Sequence, residues 1–214
     1  QDADDAAGVL SRFFEGDVIN KVLKYVMDEP RELALIILIL DTGITLQELT
    51  DLDDQAMNVG GLETRVFRQK TKKERVLYFC PATAAVCAAY RAVRPPPVAE
   101  PRFFLNWDGS PMTKHRVQAI FARVGKRSGI GVRLSPHKLR HTFATMSLRN
   151  GSTLEHVKLM LGHADVSTTS RNYSHLTNAD LAKRARTSSP VANLGFSKGR
   201  TVRSRPGKGR DILP

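Results

Sequence analysis

The chain has 214 residues, 41% of them hydrophobic, enough to bury one real core with an appendage. A formal net charge of +12 and a pI near 10.1 favour an anionic partner, with nucleic acid first and an acidic membrane surface second. The longest apolar run, Leu33 to Leu40, is far too short to span a bilayer, and no N-terminal signal pattern is visible.

Residues 1–12 are acidic and Ala-rich and read as a flexible lead-in. The first residue is Gln rather than Met, which points to a piece of a longer protein. From Asp17 to Asp28, Val18, Val22, Leu23 and Val26 recur at helical spacing, with Asp17 as the N-cap. Pro30 opens a second helix, Arg31 to Asp41, apolar nearly all round and therefore central to the core. Gly43 ends it, and a short helix follows at Leu46 to Thr50. Leu62 to Gln69 and Glu74 to Cys80 are β-rich runs joined by the charged turn Lys70 to Lys73, a predicted hairpin. Pro81 to Arg94 is an Ala-rich helix that Pro95-Pro96-Pro97 ends, and Phe103 to Asn106 is a candidate third strand. Cys80 and Cys87 have no metal-spaced companions and read as buried or half-buried thiols in a reducing compartment.

Thr113 caps a helix through Lys126. Ser135-Pro136 opens the helix carrying His137, Arg140 and His141, and Asn150-Gly151 closes it. Ser152 is the expected cap of the next helix, with Glu155 completing a capping box. Ser167-Thr168-Thr169 caps a short segment holding Tyr173, and Leu176 to Arg184 is a last helix. Residues 181–214 hold nine Lys or Arg against the single acid Asp211, so much of the basicity is a tail property. After Arg186 the tail has few apolar residues and is expected to be disordered. The fold class is therefore mainly α with a small antiparallel sheet (α+β): lead-in 1–12, one domain over 13–185, basic tail 186–214.

The densest chemistry lies between 137 and 173. Arg140 can grip a phosphate with two parallel charged hydrogen bonds. His137 and His163 can hydrogen-bond a phosphate or move a proton near neutral pH. A tyrosine hydroxyl such as that of Tyr173 can attack phosphorus and form a covalent intermediate. His137 and Arg140 are three apart and share a helix face, while His141 is expected to face elsewhere and to serve a structural hydrogen bond.

The set His137-Lys138-Leu139-Arg140-His141, then Leu161-Gly162-His163, then Tyr173 resembles the tyrosine recombinase (phage integrase) family. Asp41-Thr42-Gly43-Ile44-Thr45-Leu46-Gln47-Glu48-Leu49 is similar to its T-G-L-R-x-x-E-L box, and Lys70-Thr71-Lys72-Lys73-Glu74-Arg75 to its hairpin motif. The resemblance runs from about Phe13 to about Leu181, with four motifs in the family's order. It implies that Tyr173 attacks the scissile phosphate, leaving a 3′-phosphotyrosine and a free 5′-hydroxyl. It makes Arg140 the second catalytic arginine, His137 the helix histidine and His163 a phosphate contact beside Arg140. Lys70 becomes the general acid for the leaving 5′-oxygen. Lys72, Lys73, Arg75, Lys114, Arg116 and Lys138 are expected to contact DNA phosphates, which position without reading sequence. From His163 to Tyr173 is one residue more than in many members.

The resemblance also implies double-stranded DNA as partner, a tetrameric synapse formed by self-association, and a cytoplasmic, nucleoid-associated location. No metal, cofactor or small-molecule substrate is expected, because the phosphotyrosine keeps the bond energy. Relatives carry an N-terminal core-binding domain for which this chain has no room, so its own grip on DNA is expected to be weak.

Thr45 departs from the pattern, standing where the family's first catalytic arginine belongs. Losing one preorganised donor to a developing oxyanion costs roughly 3–4 kcal/mol, about 10²–10³ in rate. Either another cation substitutes, with Arg68, Lys72 and Arg75 as candidates, or the chain is a weakened or inactive DNA-binding member. A type IB-like topoisomerase is a further alternative. The expectation favours a substituted cation, because Tyr173, Arg140, His137, His163 and Lys70 all remain.

Overall fold

The computed structural model describes residues 13–68, 72–162 and 177–195. The lead-in, Lys70, His163, the expected cap Ser167 to Thr169, Tyr173 and the tail from 196 lie outside the described residues, as do the side chains of Arg68 and Lys73.

Helix α1 runs Gly16–Val26, so Asp17 sits inside its first turn and Glu15 holds the N-cap position. Helix α2, Pro30–Thr42, starts with Pro at its first turn and ends at Gly43 in the left-handed conformation, φ +63°. Every residue from Arg31 to Thr42 is buried, so α2 is the axis round which the domain packs. It lies against α4, Pro81–Val93, and α6, Pro136–Arg149. Between α2 and α4 come the short α3, Leu46–Thr50, and a three-stranded antiparallel sheet in the order β1-β2-β3.

Strand β1 is Met57–Asn58, β2 Glu63–Arg68 and β3 Lys73–Tyr78. The hairpin register pairs Glu63 with Tyr78 and Arg68 with Lys73. The third strand is thus Met57–Asn58, not the expected Phe103 to Asn106. That stretch makes only the bridges Asp53 to Arg102 and Leu105 to Pro111, because Phe103 and Phe104 turn into an aromatic cluster with Tyr90 instead of extending along the sheet.

The pleat sends alternate residues of β3 to two cores. Leu77 joins Val66 in the main cluster around α2, while Tyr78 and Val76 meet Phe143, Val157, Met160 and Leu161 in a second one. Arg75 pairs with Val66 across the hairpin, so it lies on the main-core face of the sheet, toward α3.

Helix α5 is Lys114–Arg127, capped by Thr113, whose side chain accepts from the Arg116 N–H. Helix α7 is Leu154–Leu161. Its cap is Thr153, accepting from the His156 N–H, and not Ser152 as expected. Gly151 at φ +88° turns the chain so that Ser152 N–H bonds back to Ser147 O, which places Thr153 one step before the helix. Helix α8, Asn178–Thr187, starts at Thr177 in a capping box with Asp180. The chain does not lose order at 186: a final helical turn, α9, Pro190–Asn193, docks on α2, α4 and α6. Val191 is fully buried there, and the Ser189 hydroxyl donates to Asp41. Asp41 also accepts from the Thr83 hydroxyl at 2.6 Å and the Cys80 N–H at 2.8 Å. Burial pushes its carboxyl above the ordinary range against the pull of those bonds. Both cysteines are buried free thiols, and burial pushes Cys87 up to about 12.

Candidate nucleic-acid interface

Three chain ends converge beside the sheet: the left-handed turn after α2, the start of α3 and the last turn of α7. The carbonyls at the two helix C-terminal ends, Gly43, Met160 and Leu161, have no helical N–H to accept from, so they need other donors. Arginines supply them. Arg140 of α6 donates through Nη1 to the Gly43 carbonyl and through Nη2 to the Leu161 carbonyl at 2.7 Å. Gly43 is required here for two reasons. Its φ is left-handed, and a Cβ would lie 2.5 Å from Phe143 Cδ1 and 2.8 Å from Leu161 Cδ2. The close approach of the two segments is what brings both carbonyls within one guanidinium's reach.

Arg75 makes the matching arrangement from the sheet side. Its Nε and Nη2 meet the two carboxylate oxygens of Glu48 at 3.1 and 2.9 Å, and its Nη1 donates to the Met160 carbonyl. Burial pushes the Glu48 carboxyl up, but the Arg75 guanidinium and the Thr45 donors outweigh it and hold it below the usual carboxylate range. Thr45 is occupied as a cap. Its side chain accepts from the Glu48 N–H at 3.2 Å, and its own N–H and hydroxyl donate to Glu48 Oε2 at 2.9 and 2.8 Å.

The other expected residues divide. His137 is exposed at the start of α6, on the helix that carries Arg140. His141 does not face away from it: the two rings meet edge to face at 4.5 Å, one helical turn apart. Lys114 and Arg116 are exposed in the first turn of α5, and Lys72 is exposed at φ +52° in the hairpin. Lys138 is partly covered and rests over the Phe14 ring at 4.6 Å, which holds the chain before α1 against α6. Arg75 is 13% exposed, its guanidinium drawn in against Glu48 and the Met160 carbonyl. Lys70, His163 and Tyr173 lie outside the described residues, so no geometry joins them to Arg140 here.

The sequence reading gave no role to Glu48 or to the Gly43 carbonyl. One signal for Glu48 was present, since Thr45-x-x-Glu48 is the spacing of a capping box. The tie from Glu48 to Arg75 spans 27 residues and has no local signature.

A mainly helical domain with a small three-stranded antiparallel sheet has the architecture of tyrosine recombinase catalytic domains. Its match to the XerA recombinase crystal structure has a TM-score of 0.68 at 24% identity, over 80% of this chain and 62% of that one. The lambda integrase catalytic core gives a TM-score of 0.58 at 17% identity, over 71% of this chain and 94% of that core. In sequence, the chain is 34% identical over 187 residues to tyrosine recombinase XerC of Haemophilus ducreyi, covering 86% of this chain and 61% of that protein. It is 34% identical over 158 residues to tyrosine recombinase XerD of Listeria monocytogenes, covering 71% and 52% respectively. The phage integrase family matches residues 12–180, and the chain belongs to that family. It spans between about half and three fifths of the length of these two curated relatives.

Proposed function

We propose that this chain carries the DNA-cutting and rejoining chemistry of a site-specific tyrosine recombinase. The supporting observation is Arg140, held by the Gly43 and Leu161 carbonyls where two family motifs meet. A guanidinium fixed in advance stabilises charge that develops on the non-bridging oxygens, and no rearrangement is needed at the moment of reaction. The Tyr173 hydroxyl attacks phosphorus and gives its proton to water as the P–O5′ bond breaks. Lys70 protonates the departing 5′-oxygen, and His137 and His163 hold the phosphate with Arg140. The bond energy stays in the 3′-phosphotyrosine, so a 5′-hydroxyl from another strand can reverse the step and join a new partner.

The partner in this reading is double-stranded DNA. Among structurally similar proteins, an integrase of transposon Tn1549 is seen with transposon end DNA and a lambda integrase as a tetramer on a Holliday junction. A tetrameric synapse of four copies on DNA, at the nucleoid in the cytoplasm, is the corresponding arrangement for this chain. Among the described residues no helix is long and apolar enough to cross a membrane.

Nicked suicide duplexes that trap the covalent intermediate test the reading. Wild type should give a protein–DNA adduct on a gel, and Tyr173→Phe should bind the duplex and give none. Arg140→Ala should cost cleavage far more than binding, because its charge matters most when the phosphorane forms. Thr45 favours one rival, a DNA-binding member without catalysis. DNA binding with no adduct from wild type on any duplex would establish that rival.

A further inference from the structure

The family's first arginine is missing at Thr45, yet the place is not without a guanidinium. Arg75 and Arg140 donate to consecutive carbonyls, Met160 and Leu161, in the last turn of α7. Each also reaches back to the segment that follows α2, Arg140 at Gly43 in the turn and Arg75 at Glu48 inside α3. Glu48 in turn holds Thr45 by its side chain and backbone. Two arginines from different elements therefore bridge the same two segments side by side. A side chain at position 45 would start from this spot, one helical turn from Glu48.

The geometry points to Arg75, delivered by the hairpin, as the second phosphate-facing guanidinium in place of an arginine at Thr45. This rests on the recombinase reading above. A guanidinium has five N–H donors, and among the described residues Glu48 and Met160 take three of Arg75's, leaving two for a phosphate. The bidentate Glu48 pair fixes the plane of the group, as a phosphate-binding arginine requires. Glu48 and Met160 would serve to hold Arg75 even if it never met DNA, so the test must separate charge neutralisation from holding the fold.

The decisive substrate is a nicked suicide duplex selected from a random-sequence library for cleavage by wild type. It is made twice, once with an ordinary scissile phosphate and once with a methylphosphonate there. The methyl group removes the negative charge that an arginine would neutralise. On the ordinary phosphate, Arg75→Ala should slow single-turnover adduct formation by roughly 10²–10³-fold, the usual loss for one such donor. On the methylphosphonate the loss should shrink to less than about tenfold, since little charge remains to stabilise. Adding Thr45→Arg to Arg75→Ala should restore much of the rate, because Glu48 is then ready to hold the new guanidinium. Thr45→Arg alone should bring no gain, two cations competing for one carboxylate.

Thermal unfolding accompanies each variant. If Arg75→Ala does not fold, Arg75→Gln carries the same comparison, removing the charge while its amide can still donate to Glu48. Equal losses on both substrates would make Arg75 a fold-holding residue only and overturn the assignment. So would an unchanged rate in Arg75→Ala, or a large acceleration in Thr45→Arg alone, and either leaves the recombinase reading standing. A wild type that forms no adduct on any duplex removes the recombinase reading and Arg75's role together.

Discussion

Replacing Gly43 with alanine should damage both stability and the site, by an amount that can be worked out and controlled. A non-glycine residue in the left-handed region costs about 1–2 kcal/mol from its own backbone. At Gly43, φ +63°, the new methyl would also press to 2.5 Å on Phe143 and 2.8 Å on Leu161. Overpacking of this kind adds about 1–3 kcal/mol. The total is roughly 2–5 kcal/mol. Gly151 is the control: its φ is +88°, but nothing lies within 4 Å of an added Cβ. Gly151→Ala should therefore show the backbone cost alone. For a chain of this size each kcal/mol moves Tm by roughly 2–4 °C, so Gly43→Ala should melt about 2–12 °C below Gly151→Ala. Where the α7 end moves away to make room, the Leu161 carbonyl that holds Arg140 moves with it, so adduct formation should fall as well, even at temperatures where the variant is folded. Differential scanning calorimetry of the two variants decides. Equal Tm values would show that the 42–44 turn and the α7 end are not packed as described, and the account of how Arg140 is positioned would fail with it.

Three other outcomes are expected. His156 is buried under α8, and burial, helped by Arg184, lowers it from 6.5 to about 4, so its folded state holds the neutral ring. Its contribution is complete above about pH 6.5 and is lost as pH falls toward 4; urea unfolding across that window should show a decline that His156→Leu flattens. Ser189→Ala removes a hydroxyl donor to buried Asp41 and should cost about 1.5–3 kcal/mol, with hydrogen exchange rising first in α9; unchanged exchange there would contradict the docking of that turn. Deleting residues 196–214, which carry Lys198, Arg200, Arg203, Arg205, Lys208 and Arg210, should weaken binding to any duplex and flatten the plot of log affinity against log salt; an unchanged slope would mean that the tail is not on the DNA.

Local signals carried the helices well. Pro30 and Gly43 bracket α2 as a proline at the first turn and a glycine past the last, and both boundaries fall where the sequence places them. Thr113 acts as the expected cap, and Ser135-Pro136 opens α6 as expected, with the Ser135 side chain accepting from the Lys138 N–H, because an accepting side chain one step before a helix has few other uses. Competition between neighbours was not legible. Ser152 and Thr153 are equally good caps, and only the turn at Gly151 decides between them. A two-residue strand such as Met57–Asn58 is too short for any alternation to show. The α9 turn is only four residues long, and its docking joins Val191 to the main core and the Ser189 hydroxyl to Asp41, 148 positions earlier, so no local pattern announces it. The site shows the same limit. Its residue types stood out along the chain, but the coupling of Arg75 to Glu48 exists only once the hairpin folds onto α3.

The carbonyls that hold Arg75 and Arg140 have an electrical meaning beyond geometry. Gly43 lies at the C-terminal end of α2, and Met160 and Leu161 at that of α7, where helix dipoles are negative. Anions are ordinarily welcomed at the opposite, N-terminal ends. Here two negative ends stabilise stored positive charge, and salt screens such partly buried contacts far less than it screens exposed ones. Raising ionic strength should therefore strip DNA from the protein while leaving the guanidiniums in place, so that the centre remains assembled between one encounter with DNA and the next.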